Sequence, residues 1–213
     1  MDRAPPHAYI LPRKMMHQPD LFATPMLPGL ATAEDLIGRA EEVDLLTRLA
    51  TVDLSPFRFQ QWTGKRLTRS FGWTYDFENG RFGPTDPMPD WLLPLRERAA
   101  RFAKLAPERL VQALLIRYDP GAGIGWHRDR PVFDHVVGVS LGSAATLRFR
   151  RRREQGFDRR SLPLAPRSVY HLAGEARQDW EHGMAPVVQT RWSVTFRSLR
   201  EAPPLDASAR GPR

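Results

Sequence analysis

The sequence contains no cysteine. That excludes disulfides and cysteine-based zinc sites, and it fits a cytoplasmic setting. It also lacks any apolar run of about 18 residues, so no membrane-spanning helix is expected. Behind Met1-Asp2-Arg3 there is no continuous apolar stretch, and the N-terminus does not read as a signal peptide. Lysine is scarce and arginine abundant. Together they number 32 against 24 Asp and Glu, a net charge of +8. Such a balance favours phosphate-rich partners, and an arginine-rich solvated surface is an equal reading of it.

A chain of 213 residues is long enough for one domain with a sizeable core. Residues 1–20 are rich in Pro, His, Met and Arg without periodicity and read as a flexible lead-in, with His7 and His17 as surface histidines. Residues 21–200 hold the patterned domain, and 201–213 read as a disordered tail. A monomer is expected. Apolar residues at helical spacing (Leu36, Ile37, Ala40, Val43, Leu46, Leu49) predict a helix over about 33–50 with Thr32 as its cap. A second helix is expected over about 90–105, capped by Asp90 and burying Trp91, Leu92, Leu95, Ala99, Phe102 and Leu105.

From residue 111 onward the pattern changes to short strands and turns: 111–118, 135–141, 146–150, 161–164, 168–172 and 191–199. This predicts an α+β, mainly β fold, a double sheet or barrel with the two helices outside. Between the helices, residues 55–83 interleave aromatics (Phe57, Phe59, Trp62, Phe71, Trp73, Tyr75, Phe77) with cations (Arg58, Lys65, Arg66, Arg69, Arg81). Aromatics among cations suit stacked bases and phosphates, while core aromatics and solvated cations explain the same composition. Arg148-Phe149-Arg150-Arg151-Arg152-Arg153 likewise reads either as a phosphate grip or as a solvated hairpin.

The chemistry centres on Gly125-Trp126-His127-Arg128-Asp129, which follows the turn Asp119-Pro120-Gly121-Ala122-Gly123. Residues two apart on an extended segment point the same way, so His127 and Asp129 can grip one ion together. A third ligand completes a set of two His and one carboxylate, which suits non-heme Fe(II) and is also accepted by zinc. His182 is the best candidate, and His135 and His171 compete as mid-strand or strand-end histidines with structural roles. The segment 191–197 alternates strictly: Arg191, Ser193, Thr195 and Arg197 on one face, Trp192, Val194 and Phe196 on the other. Its two arginines are six residues apart, roughly 20 Å at about 3.3 Å per residue. Guanidinium arms reaching toward each other leave room for a short dicarboxylic acid. Tyr118, sharing a face with Ile116, can donate to the same carboxylate.

Taken together, these residues resemble the AlkB family of Fe(II)- and 2-oxoglutarate-dependent dioxygenases over roughly residues 28–199. His127-Arg128-Asp129 matches the family's H-x-D, His182 its distal histidine, and Arg191 through Arg197 its R-x-x-x-x-x-R strand. The resemblance implies a double-stranded β-helix (jelly-roll) core, with Fe(II) held by His127, Asp129 and His182. It implies 2-oxoglutarate held by Arg191, Tyr118, Ser193 and Arg197, and O2 as second cosubstrate. Trp73 and Tyr75 resemble part of a nucleotide-recognition lid. The family often has Asn where this chain has Ile116 and Ser193, and Ile116 cannot hydrogen-bond the cosubstrate. The implied activity is oxidative removal of N-methyl groups from bases in alkylated single-stranded DNA or RNA. The same chemistry on a protein side chain, a non-catalytic nucleic-acid-binding module and a zinc hydrolase are the competing readings.

Overall fold

The computed structural model describes residues 26–59, 62–75 and 80–200. The lead-in, the tail and Phe77 lie outside these residues. Strands β1 (Leu30–Ala33), β2 (Ser55–Phe59), β3 (Trp62–Phe71), β4 (Trp73–Tyr75) and β5 (Phe82–Pro84) precede β6 (Leu110–Tyr118). Helices α1 (Arg39–Ala50) and α2 (Leu93–Ala103) interrupt them. The second half holds β7 (Ile124–His127), β8 (Phe133–Gly142), β9 (Ala145–Arg152), β10 (Phe157–Leu164) and β11 (Val169–Leu172). Helix α3 (Gly174–Gln178) then leads to β12 (Glu181–Met184) and β13 (Arg191–Leu199).

The strands form a seven-stranded sheet, ordered β1-β11-β8-β13-β6-β3-β2, and a four-stranded sheet, ordered β10-β9-β12-β7. All their pairings are antiparallel. The inner faces pack on each other through Leu30, Val136, Tyr170 and Leu172 from the large sheet and Leu147, Phe149, Leu162 and Leu164 from the small one. Helices α1 and α2 cover the outer face of the large sheet, where Leu45, Leu49, Leu95 and Ala99 meet Leu115, Val137, Val194 and Phe196. This is the expected mainly β jelly-roll core with N-terminal helices outside it. Among the described residues no helix is long and apolar enough to cross a membrane.

Both expected helix caps are corrected. Thr32 lies in β1 and donates its hydroxyl to the Val169 carbonyl (3.0 Å), so the edge strand takes the residue that the helical pattern claimed. Helix α1 starts later, after Gly38, with no side-chain cap. The inward face also differs from the expected one: Val43 is 65% exposed and Glu42 is buried. Glu42 is paid for by two partners, accepting from the Gly142 amide (2.9 Å) and from Arg167 (3.0 Å). Asp90 opens a 3-10 turn, Asp90–Leu92, and caps nothing.

Two glycines are required by close approach. Gly72, between β3 and β4, has φ +78° and any Cβ would lie 2.0 Å from the Val111 carbonyl oxygen. At Gly138 a Cβ would fall 2.2 Å from the Tyr170 ring, so glycine makes room for that ring on the inner face.

Candidate active site

The two sheets open at one end into a cavity of about 1640 Å³. Strand register brings its chemistry together. His182 on β12 pairs directly with His127 on β7 and with Phe149 on β9, which places both imidazoles on the inward face. Their ring centroids are 4.4 Å apart. His182 Nε2 lies 3.5 Å from Asp129 Oδ2. His127 Nδ1 is 2.9 Å from the Gly125 carbonyl, which can only accept, so Nδ1 carries the proton and Nε2 keeps its lone pair.

Asp129 is buried, and its two oxygens are treated differently. Oδ1 accepts from Arg197 Nε and Nη2, both at 2.8 Å. Oδ2 is buried with no hydrogen-bond partner. Burial by itself would raise the carboxyl pKa, but Arg197, then His182 and His127, hold it well below the usual carboxylate range. The histidines go the opposite way. Burial, then the neighbouring His127, pushes His182 down to about 3, and burial lowers His127 as well. The site therefore presents an ionised carboxylate oxygen beside two neutral imidazoles, the donor set of a divalent ion. Among the described residues no trio of such side chains already stands in finished ligating positions. The fit rests on the unpartnered Oδ2 and the free Nε2 lone pair.

Arg197 also donates to Gln112 Oε1 (3.0 Å), whose amide donates to the Trp73 carbonyl (2.9 Å). A continuous chain of hydrogen bonds thus runs from β4 to Asp129. Arg177 on α3 donates to the carbonyls of Arg130 and Phe133 and pins the loop that follows Asp129.

The alternation expected in the last strand holds, but neither face meets water. Trp192, Val194 and Phe196 sit under the helices, and Arg191, Ser193, Thr195 and Arg197 line the cavity. Arg191 donates to Ser140 Oγ (2.8 Å), approaches Met184 Sδ (3.2 Å) and lies over the Tyr118 ring, with no carboxylate partner among the described residues. Tyr118 is buried, which raises its pKa and keeps the hydroxyl protonated as a donor. Ile116 shares the cavity wall with it. Ser193 faces Thr195 across 3.5 Å. Tyr75 lines the cavity beneath the Arg130 guanidinium, 4.0 Å from its ring. Trp73 is not part of the lining and stacks on Phe82 instead (5.0 Å). His135 and His171 lie away from the cavity and hydrogen-bond each other at 2.9 Å, the structural role expected of them.

The chain matches the 2OG-Fe(II) oxygenase superfamily over residues 28–202. It belongs to that superfamily. Family members are named for Fe(II) and 2-oxoglutarate, the metal and cosubstrate that the AlkB resemblance implied. The oxygenase chain is 30% identical over 168 residues to the Mus musculus protein named tRNA (carboxymethyluridine(34)-5-O)-methyltransferase ALKBH8, covering 75% of this chain and 24% of that one. It is 29% identical over 150 residues to the alpha-ketoglutarate-dependent dioxygenase AlkB of Escherichia coli (strain K12), covering 59% of this chain and 66% of the relative. These matches bear out the AlkB resemblance. The chain thus spans about a quarter of the mouse protein's length. The solved structure of OsALKBH1 superposes with a TM-score of 0.60 at 16% identity, covering 80% of this chain and 96% of that one, a likeness of fold alone.

Sequence reasoning missed Gln112, Ser140, Met184 and the buried position of Arg66. Gln112 had a usable signal, an amide inside the otherwise apolar run 110–116 of β6. Arg66 had little, because β3 is polar on both faces.

Proposed function

We propose that this oxygenase removes N-methyl groups from nucleic-acid bases by oxidation. The observation that carries the reading is Asp129: one oxygen locked by Arg197, the other buried and unpartnered, beside His127 and His182 in an arginine-lined cavity. His127, Asp129 and His182 would hold Fe(II), and Arg191 with Tyr118 would take the distal carboxylate of 2-oxoglutarate. Fe(II) supplies the oxidation, in which O2 and 2-oxoglutarate give succinate, CO2 and one oxygen atom inserted into a C–H bond of the substrate. Arg197 keeps Asp129 ionised and oriented. Tyr118 and Ser193 add donors to the cosubstrate wall. Tyr75, at the cavity wall under Arg130, offers a ring for an unpaired or flipped-out base. The N-hydroxymethyl product then breaks its C–N bond, leaving formaldehyde and an N–H on the base.

A nucleic-acid substrate is supported by the outer face of the small sheet. Arg148 and Arg150 lie over Trp126, and Arg150, Arg152 and Arg159 lie over Phe157. Arginines interleaved with aromatic rings suit phosphates and stacked bases. The mouse relative is itself named for tRNA.

Formaldehyde release from a methylated single-stranded oligonucleotide, with Fe(II), 2-oxoglutarate and ascorbate, tests the reading. Release that stops when either iron or 2-oxoglutarate is omitted is the expected result. Succinate formed without formaldehyde would overturn base demethylation and leave an oxygenase with another substrate.

A further inference from the structure

The cavity wall contains a second guanidinium without a counter-ion. Arg66, on β3, is 8% exposed, and its Nε is buried with no hydrogen-bond partner. Its contact is the Phe57 ring, 3.7 Å below the guanidinium carbon. A buried arginine with no anion beside it is costly, because desolvation is not offset by an opposite charge. Burial accordingly lowers its pKa, and the nearest charged neighbours include another cation, Arg197. Two other buried cavity arginines do not share this condition: Arg197 is closed on Asp129 and Gln112, and Arg177 on two backbone carbonyls. Arg191 and Arg66 remain, of these buried arginines, with neither a carboxylate nor a backbone carbonyl as hydrogen-bond partner among the described residues.

These two flank one residue. Arg191 pairs with Tyr118 across β13 and β6. On the other side of β6, Leu67 pairs with Arg117, so Arg66 stands beside Tyr118 on β3. Arg66, Tyr118 and Arg191 thus form a row across three adjacent strands, all lining the cavity. The row lies on the wall where Ile116 offers no donor and Ser193 only a short hydroxyl. We infer that Arg66 is a second carboxylate anchor, closing on the distal carboxylate of the cosubstrate from the side of Tyr118 opposite Arg191. Two planar forks and a phenol then surround one carboxylate, which replaces the donor missing at position 116. This inference rests on the oxygenase reading above.

Calorimetric titration of 2-oxoglutarate into the Fe(II)-loaded protein without oxygen tests it, comparing wild type, R66Q and R66K. R66Q should weaken 2-oxoglutarate by about 10- to 100-fold, the loss of one charge-assisted interaction, and R66K by less. The oligonucleotide affinity should stay unchanged in both. 2-Oxobutyrate, which lacks the distal carboxylate, should bind wild type and R66Q alike. R66Q removes an unpartnered buried charge, so its melting temperature should not fall. An unchanged 2-oxoglutarate affinity in R66Q overturns the inference, as does an equal loss for 2-oxobutyrate. A loss confined to the oligonucleotide also overturns it and makes Arg66 a phosphate contact. Failure of the wild-type protein to bind 2-oxoglutarate is a different outcome, and it removes the oxygenase reading itself.

Discussion

The two sheets share an inner apolar core and treat their outer faces in opposite ways. The outer face of the large sheet is apolar and lies beneath α1 and α2. On the small sheet the corresponding face carries Arg148, Arg150, Arg152 and Arg159 around Trp126 and Phe157, with Glu181 as a partner for Arg150 (2.6 Å). Identical alternation in β9 and β13 therefore serves different ends. In β13 the alternate residues enter the helix-covered core, and in β9 they point away from it. Stability should accordingly reside on the covered face and recognition on the bare one.

Substitutions on the two outer faces should therefore have opposite consequences. Phe196 is fully buried between β13 and the helices. F196A should cost about 3–5 kcal/mol in denaturant unfolding, because it removes transfer free energy and leaves a cavity. A loss under about 1 kcal/mol would mean that the helices are not what holds the large sheet. The bare face calls for the opposite. R148Q/R152Q/R159Q, three exposed positions, should change stability by no more than about 0.5 kcal/mol per site. The slope of log affinity against log salt for a single-stranded oligonucleotide should become shallower by about 2, near 0.7 per lost phosphate contact. An unchanged slope would return this face to an ordinary solvated surface.

Much of the site was legible because it follows short-range rules. The polar and apolar sides of β13 appear in strict alternation, and His127 and Asp129 are two apart. What stayed hidden depended on partners far along the chain. Thr32 satisfies its hydroxyl on Val169, a partner no local pattern indicates. The strands β7 and β12 are four residues long and contain glycine, so no periodicity announces them, yet they align His127 with His182. In β3, Lys65-Arg66-Leu67-Thr68-Arg69-Ser70 is polar on both sides, and only its pairing with β6 tells which side faces inward.

The smallest expected effect concerns a polar pair on the outward side of the large sheet. His171 follows Val169 on the outward side of β11, half-buried, with its Nε2 2.9 Å from His135 Nδ1. His135 in turn stands 3.4 Å from Asp134. Burial, then the neighbouring His135, pushes the His171 pKa from its ordinary 6.5 down to about 4. The sign follows from proton uptake: as pH falls below 6.5 the unfolded chain binds a proton at this position, and the folded chain does not until about pH 4. Folding therefore loses stability across that window. H171Q binds no proton in either state, so its melting temperature should fall less steeply than that of the wild type between pH 6.5 and 4. Parallel curves would mean that His171 is already protonated in the fold, and that the covered face accommodates a charge beside His135.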